Sequence, residues 1–340
     1  MPETARRVIF PEVNKAVWET VDLPDTVGPT EVLVRAVRTL VSAGTEIAIY
    51  SGAHIGYRTP GARYPRLPFR PGYAFAGIVE AVGADVTAYK QGDRVTGGMN
   101  HQDFVVVDTA RSDMNLIPDG VSFEQACLAR LSVISLQGVR LSHIALGEHV
   151  AVFGQGLIGQ LARQYALISG AASIIAVDMI DARLEVARSH GATHVVNPSR
   201  DDLAATIAAA TGDRGVDVAI EATGNPSVTN DALQVVARMG RVVLLGSPRG
   251  RLEIDIYRDV HGKGVSLIGA HNNTTPASGN AFHRWTQSEH RQLALELMRQ
   301  GRLHADGLLS HHIPAAEALP IWDALTHHQQ DYLGVIIVWE

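Results

Sequence analysis

The chain of 340 residues has very little cysteine, no long apolar run and no excess of basic side chains. Cys127 is the only cysteine, which excludes an internal disulfide and any zinc site that needs several thiolates. No stretch approaches the roughly 18 apolar residues of a membrane-spanning helix, and residues 1–15 lack the apolar segment of a secretory signal. The formal net charge of -6 gives nucleic acid and anionic membranes no electrostatic advantage as partners. We therefore expect a cytoplasmic protein that acts on a small molecule.

The chain has two regions with different sequence patterns, which agrees with two domains of about 150 residues each. Short β-branched segments broken by Gly and Pro fill residues 1–125, among them Glu31–Ala36, Gly77–Val82 and Phe104–Val107. From residue 126, strands and helices alternate, which predicts a doubly wound parallel α/β sheet. The six predicted strands are His149–Phe153, Ser173–Asp178, His194–Val196, Asp217–Glu221, Arg241–Gly246 and Val265–Gly269. Pro226 is expected in the first turn of a helix, and Gly240 is expected to cap a helix at its C-terminus.

A glycine-rich turn follows the first of these strands and precedes a helix. Gly154 allows the turn, Gly156 lets the backbone approach a pyrophosphate, and Gly159 lets the helix pack closely on the strand. The helix begins at Leu157 and Ile158, where unpaired N–H groups favour phosphate. The motif predicts a dinucleotide site.

Asp178 ends the next strand, about 20 residues after the last glycine, where an acid binds the ribose hydroxyls of NAD and repels the 2′-phosphate of NADP. Arg183 is expected along the adenosine edge, with a 2′-phosphate partner as the alternative. Thr223 follows the fourth strand, and Gly246 and Ser247 follow the fifth, at the sheet edge where such folds bind ligands. These three positions are either cofactor contacts or plain turns. The pattern predicts NAD as cofactor.

Further motifs resemble one family, the medium-chain dehydrogenase/reductase superfamily of zinc alcohol and polyol dehydrogenases. They are Ala43–Glu46 (AGTE), Gly72–Gly77 (GYAFAG), Gly92–Val95 (GDRV) and Leu131–Val133 (LSV), together with the glycine-rich turn. The resemblance implies a GroES-like β-barrel catalytic domain, residues 1–125 and 273–340, into which a Rossmann domain, residues 126–272, is inserted. It also implies a cleft for hydride transfer and a homodimer or homotetramer.

The sequence departs from the zinc members of that family at the metal ligands. Their Cys is Ala43 here, their His–Glu pair is Tyr73–Ala74, and the Glu of the polyol-type members is Ala129. Zinc needs nitrogen, sulfur or carboxylate ligands, and alanine offers none. A replacement site built from histidines is the alternative, but the adjacent pairs His311–His312 and His327–His328 diverge in a helix or strand. We expect no catalytic zinc.

Other groups must then polarise the substrate oxygen. By the resemblance, Thr45 matches a hydroxyl that contacts this oxygen. Tyr73 is a hydrogen-bond donor or a filler of vacated space. His54, on the loop Ser51–Pro71, is a proton carrier or a solvated side chain; His101 could face the substrate. Arg70 and Arg130 bind an anionic group or pair with Glu46.

These features predict a zinc-independent NAD(H)-dependent oxidoreductase that interconverts a secondary alcohol, polyol-like or cyclic, and its ketone. The first alternative is a zinc-free reductase of enone or quinone C=C bonds. Such reductases prefer NADPH, whereas Asp178 favours NAD, so Asp178 is an argument against this alternative. The second is a catalytically silent dinucleotide-binding protein. The polar segment His271–Arg291 contacts either a hydroxyl-rich ligand or another subunit.

Overall fold

The structure, a computed structural model, describes residues 1–111, 114–276, 278–280 and 284–339. The chain forms two compact units. Unit 1 comprises Met1–Arg130, Ser288–Gly301 and Leu309–Glu340, and unit 2 comprises Leu131–Gln287 and Arg302–Leu308. The boundaries therefore fall somewhat later than the sequence suggested. The assignment of 302–308 to unit 2 has a local cause, because the backbone of His304 exchanges hydrogen bonds with the Gln164 amide at 2.8 and 3.0 Å.

The N-terminal part of unit 1 is built from short strands and one helix. In chain order these are β1 (Thr4–Ile9), β2 (Val17–Asp22), β3 (Glu31–Leu40), α1 (Ala43–Tyr50), β4 (Phe75–Val82), β5 (Arg94–Gly97), β6 (Phe104–Asp108) and β7 (Asn115–Leu116). Helix α2 (Phe123–Leu141) begins in unit 1 and ends in unit 2. The strands predicted at Glu31–Ala36, Gly77–Val82 and Phe104–Val107 are confirmed, each with one or more added residues.

Unit 2 alternates strands and helices as the sequence predicts. The elements are β8 (His149–Phe153), α3 (Leu157–Ile168), β9 (Ser173–Val177), α4 (Asp181–Ser189), β10 (His194–Val196), α5 (Leu203–Thr211), β11 (Val216–Glu221), α6 (Pro226–Val235), β12 (Val236–Leu244) and β13 (Ser266–Gly269). The sheet order β10-β9-β8-β11-β12-β13, parallel throughout, is that of a Rossmann fold. The predicted doubly wound sheet is confirmed.

Pro226 occupies the first turn of α6 as predicted, but the expectation for Gly240 is wrong. Gly240 lies inside β12 and caps no helix. The helix ends five residues earlier, at Val235, and Val236 is already extended with φ -69° and ψ 138°. Two consecutive β-branched residues favour this direct change from helix to strand.

The C-terminal residues return to unit 1. They form α7 (Gln287–Arg299), β14 (His311–Pro314), α8 (Ile321–His327) and β15 (Val335–Val338). A seven-stranded sheet runs in the order β14-β15-β3-β4-β5-β7, with β6 also paired to β3. Strand β15 pairs antiparallel with the end of β3 at Arg38–Leu40, just before α1. The last strand of the chain therefore supports the segment that carries Ser42, Thr45 and Glu46.

Helices long and apolar enough to cross a bilayer are not found in the described part of the chain.

Candidate functional site

The glycine-rich turn of unit 2 has the geometry that a pyrophosphate requires. Gly154 has a φ of +89°, which favours glycine. A Cβ added at Gly159 would lie 1.8 Å from the carbonyl oxygen of Gly154, so helix and strand approach as closely as backbone allows. At Gly156 an added Cβ would meet no atom within 4 Å. There is therefore space at Gly156, directly before the N-terminus of α3 at Leu157 and Ile158, and helix N-termini favour phosphate.

Asp178 is tied to this turn. Its carboxylate accepts a hydrogen bond from the backbone N–H of Gln155 at 2.6 Å and another from that of Ile180 at 2.9 Å. A carboxylate offers about four lone-pair sites, so both oxygens keep capacity for ribose hydroxyls. Arg183 lies in α4, where desolvation lowers its pKa and the charge of Asp178 opposes that shift.

The turns after β11 and β12 pack on each other. A Cβ added at Gly246 would lie 2.3 Å from the nitrogen of Gly224, while Thr223 and Ser247 are exposed. Glu221, which the sequence reasoning missed, organises this edge. Its buried carboxyl accepts hydrogen bonds from the N–H groups of Thr223 and Gly224 and from the Thr223 hydroxyl. Burial raises the pKa of Glu221. Its position as an acidic residue at the end of an apolar strand could have identified Glu221 in the sequence.

In unit 1 the structure brings together three hydroxyl groups and one cation. The Tyr73 hydroxyl hydrogen-bonds with the hydroxyl of Ser42, and the guanidinium carbon of Arg130 lies 5.2 Å from the centroid of the Tyr73 ring. Desolvation raises the pKa of Tyr73, and hydrogen bonds with Ser42 and Thr45 and the charge of Arg130 offset part of that rise. Tyr73 therefore keeps its proton at neutral pH. Ser42 was not predicted, although it directly precedes the AGTE motif.

Alanines occupy three of the positions that bind zinc in the family. Ala43 begins α1, and Ala74 and Ala129 are fully buried. Their methyl side chains have no atom that binds a cation. Across the described residues, no group of three or more His, Cys, Asp or Glu side chains is placed to hold a metal ion.

His101 lies inside unit 1, and its predicted role at the substrate stays a prediction. It is fully buried, and both ring nitrogens are engaged. Nε2 lies 3.1 Å from Glu46 Oε2, and Nδ1 lies 2.8 Å from Thr39 Oγ1. Partners distant in sequence bury it.

Glu46 is the centre of this buried polar network. It accepts hydrogen bonds from the Ser42 N–H at 2.9 Å and from the Trp322 indole at 2.8 Å, in addition to its contact with His101. The Trp339 indole donates to Thr39 at 2.9 Å and extends the network to the end of the chain. Glu46 therefore fixes α1, and with it Thr45. Arg70 pairs with Glu19 at 3.3 Å.

His54 begins a short 3-10 turn, Ile55–Arg58, and its Nδ1 accepts a hydrogen bond from the Gly56 N–H at 3.0 Å. Its role as a proton carrier stays a prediction. Within His271–Arg291, Arg291 donates to Asn115 at 2.7 Å inside unit 1. The positions Ala277, Ala281, Phe282 and His283 lie outside the described residues.

Removal of the Glu46 carboxylate should strongly destabilise unit 1. We expect Glu46→Ala to lower the free energy of unfolding by about 3–5 kcal/mol, because it leaves buried donors without an acceptor. Urea titration measures this. Glu80→Ala is the matched control, since the partly exposed Arg35–Glu80 pair at 2.6 Å should contribute about 1 kcal/mol or less. Equal losses in the two variants would contradict a structural role for Glu46.

Comparisons with known proteins agree with this geometry. Residues 28–122 match the alcohol dehydrogenase GroES-like domain, and residues 158–288 match the zinc-binding dehydrogenase domain. Sorbitol dehydrogenase of Bacillus subtilis (strain 168) is 30% identical over 315 residues, which cover 79% of this chain and 87% of that protein. The crystal structure of 2R,3R-butanediol dehydrogenase from Bacillus subtilis is 26% identical, with a TM-score of 0.81 and coverage of 98% and 99%. A zinc-binding dehydrogenase from Sinorhizobium meliloti 1021, solved with NADP, shares the fold at 22% identity, a TM-score of 0.81 and coverage of 99% and 100%.

The chain thus belongs to the medium-chain dehydrogenase/reductase superfamily, within the zinc-type alcohol and polyol dehydrogenases. It is an oxidoreductase of that superfamily, with a GroES-like domain and a Rossmann domain as the sequence predicted.

Proposed function

We propose that the chain is a zinc-independent, NAD(H)-dependent dehydrogenase that interconverts a secondary alcohol and its ketone. The observation that carries this proposal is the replacement of the metal ligands by Tyr73 and three alanines, with Tyr73 hydrogen-bonded to Ser42 and overlaid by Arg130. The residues at these positions do not fit a zinc ion, but they do fit a substrate oxygen.

The hydroxyl groups supply what a metal ion would otherwise supply, a stabilising partner for the oxygen of the reacting carbon. Tyr73 holds a proton at Oη because desolvation raises its pKa. When hydride adds to a ketone, the phenol donates this proton to the oxygen and regains one from water. In alcohol oxidation the hydroxyl proton of the substrate is released to water, and the phenol stabilises the developing alkoxide by a hydrogen bond. Thr45 and Ser42 orient the phenol. Arg130 adds positive charge beside the ring, where negative charge on oxygen is favoured.

A nicotinamide dinucleotide, bound at the Gly154–Gly159 turn, supplies hydride acceptance or donation. The position of Asp178 supports NAD over NADP, because its carboxylate lies at the end of β9 and would repel a 2′-phosphate. Arg183, Thr223, Gly246 and Ser247 are proposed as further cofactor contacts. The names of sorbitol dehydrogenase and butanediol dehydrogenase support a polyol-like substrate.

Metal analysis combined with a substrate panel tests this proposal. We expect protein purified without added metal to contain no stoichiometric zinc, and to oxidise secondary alcohols and polyols with NAD at a rate that a chelator does not change. Stoichiometric zinc, or activity lost to the chelator and restored by zinc, would overturn zinc independence. Turnover of enones alone would favour a C=C reductase, and tight NAD binding without any turnover would favour a silent binder.

A further inference from the structure

A basic loop in unit 1 has no role in the function proposed above. The arginine loop, residues 54–70, contains Arg58, Arg63, Arg66 and Arg70 and not a single acidic residue, in a chain whose net charge is -6. We propose that the substrate carries an anionic group, a carboxylate or a phosphate, and that Arg63 and Arg66 bind this group. This inference rests on the proposed function.

Within the part of the chain that the structure describes, three of the four arginines of this loop lack the carboxylate partner that Arg70 has in Glu19, at 3.3 Å. Arg58, Arg63 and Arg66 are exposed, and among the described residues none of them forms an ion pair. Five arginines elsewhere in unit 1 face carboxylates, in the pairs Arg6–Asp103, Arg7–Glu19, Arg35–Glu80, Arg38–Glu124 and Arg111–Asp108. The loop thus presents positive charge that the protein itself does not neutralise, which favours an anion from solution.

The backbone of the loop holds a defined shape. Gly56 lies directly against the opposite arm, because a Cβ added there would be 2.0 Å from the Tyr64 carbonyl oxygen. The Tyr64 ring packs edge-on against His54 at 5.4 Å. Phe69 exchanges two backbone hydrogen bonds with Phe10, at 2.7 and 2.8 Å, which anchors the end of the loop. A preordered site loses less entropy when it binds a ligand.

The loop also lies close to the hydroxyl cluster of unit 1. Tyr64 is half-exposed, and desolvation followed by the charges of Tyr73 and Glu46 raises its pKa to about 12. Contacts give the same placement, because Tyr57, Leu67 and Phe69 of the loop pack against the buried apolar cluster to which α1 contributes, and α1 carries Thr45. Arg63 directly precedes Tyr64, and Arg66 follows it two residues later. One substrate molecule can therefore place its reacting carbon at Tyr73 and its anionic end at these guanidinium groups.

Guanidinium groups suit this task, because their planar array of N–H donors matches the oxygens of a carboxylate or a phosphate. A neutral polyol would leave both cations with water alone. The geometry points to a polyhydroxy acid or a polyol phosphate as substrate class.

Matched substrates test the proposal. Steady-state kinetics with NAD would compare a hexitol, its phosphate ester and the corresponding aldonate, for the wild type and for Arg63→Gln/Arg66→Gln. We expect KM for one anionic substrate to be at least about tenfold below that for the hexitol, and to rise about tenfold or more in the double variant. Values of kcat, and KM for the hexitol, should stay unchanged. The phosphate ester and the aldonate distinguish the two sources of charge.

Arg302→Gln, which removes an exposed arginine of unit 2, is the control and should change none of these constants. Turnover of the hexitol without any preference for its anionic forms, or a double variant that matches the control, would overturn the inference and leave the proposed function intact. If no alcohol is oxidised, the proposed function fails. Calorimetry with inorganic phosphate and with gluconate then decides the inference, because binding must weaken about tenfold in the double variant.

Discussion

Tyr73→Phe should lower kcat for alcohol oxidation and ketone reduction by about 100-fold to 1000-fold, the range found when one donor to a developing oxyanion is removed. The ring and its contact with Arg130 at 5.2 Å would remain, and only the hydroxyl that meets Ser42 would be lost. Stopped-flow and steady-state measurement of NADH at saturating substrate would report the change. KM should change far less than kcat, because the donor acts most strongly on the charge that develops during hydride transfer.

The control for this variant is Tyr89→Phe. It removes a phenol that donates to the Met114 carbonyl at 2.7 Å and accepts from the Met114 N–H at 3.2 Å. Its kcat should equal that of the wild type, and undiminished turnover by Tyr73→Phe would remove Tyr73 from the chemistry. The pH profile gives a second check. Because the pKa of Tyr73 is raised above 10.0, the protonated phenol should persist up to that pH, and the rate of ketone reduction, which uses this proton, should fall only above it.

Gly156→Ala should weaken dinucleotide binding at least about tenfold, or about 1.4 kcal/mol, without loss of stability. The φ of -67° at Gly156 suits alanine, and the added methyl would meet no protein atom, so it would occupy only the space that a pyrophosphate needs. Titration of protein fluorescence with NADH measures the affinity. The same titration with NADPH should show weaker binding to the wild type, because of Asp178.

Gly159→Ala provides the contrast within the same turn. Its methyl would lie 1.8 Å from the Gly154 carbonyl oxygen, so α3 must shift, and we expect a loss of about 1–3 kcal/mol in stability together with the loss of binding. The two variants therefore separate contact with the cofactor from packing of the fold. Unchanged NADH affinity in Gly156→Ala would show that the cofactor does not bind at this turn.

The Rossmann domain could be predicted almost completely because its signals are local. Each buried strand is a short apolar run, as at His149–Phe153, and each turn that follows it carries its own glycines or caps. The wrong prediction for Gly240 also comes from a local rule. Sequence reasoning expects a loop between a helix and a strand, whereas Val235 and Val236 join α6 to β12 without one.

The candidate active site was predicted only in part, because its geometry depends on partners that are distant in the chain. Tyr73 and Thr45 could be identified from motifs, but the burial of His101 could not. His101 meets Glu46 across 55 residues, and Glu46 meets Trp322 across 276 residues. No local pattern encodes such contacts, and a polar run such as Asn100–Asp103 therefore resembles an exposed loop.

The place of β15 in the sheet also sets an order of events during synthesis. The six strands of unit 2 are complete once Gly269 has emerged from the ribosome. The end of β3 at Leu40 can pair with β15 only after Ile336 has been synthesised. Since domains generally fold as units during translation, the Rossmann domain can fold while the unit that carries Tyr73 still lacks the partner strand of β3. Nascent or C-terminally clipped chains would expose that unpaired edge, which makes them candidates for chaperone capture and aggregation.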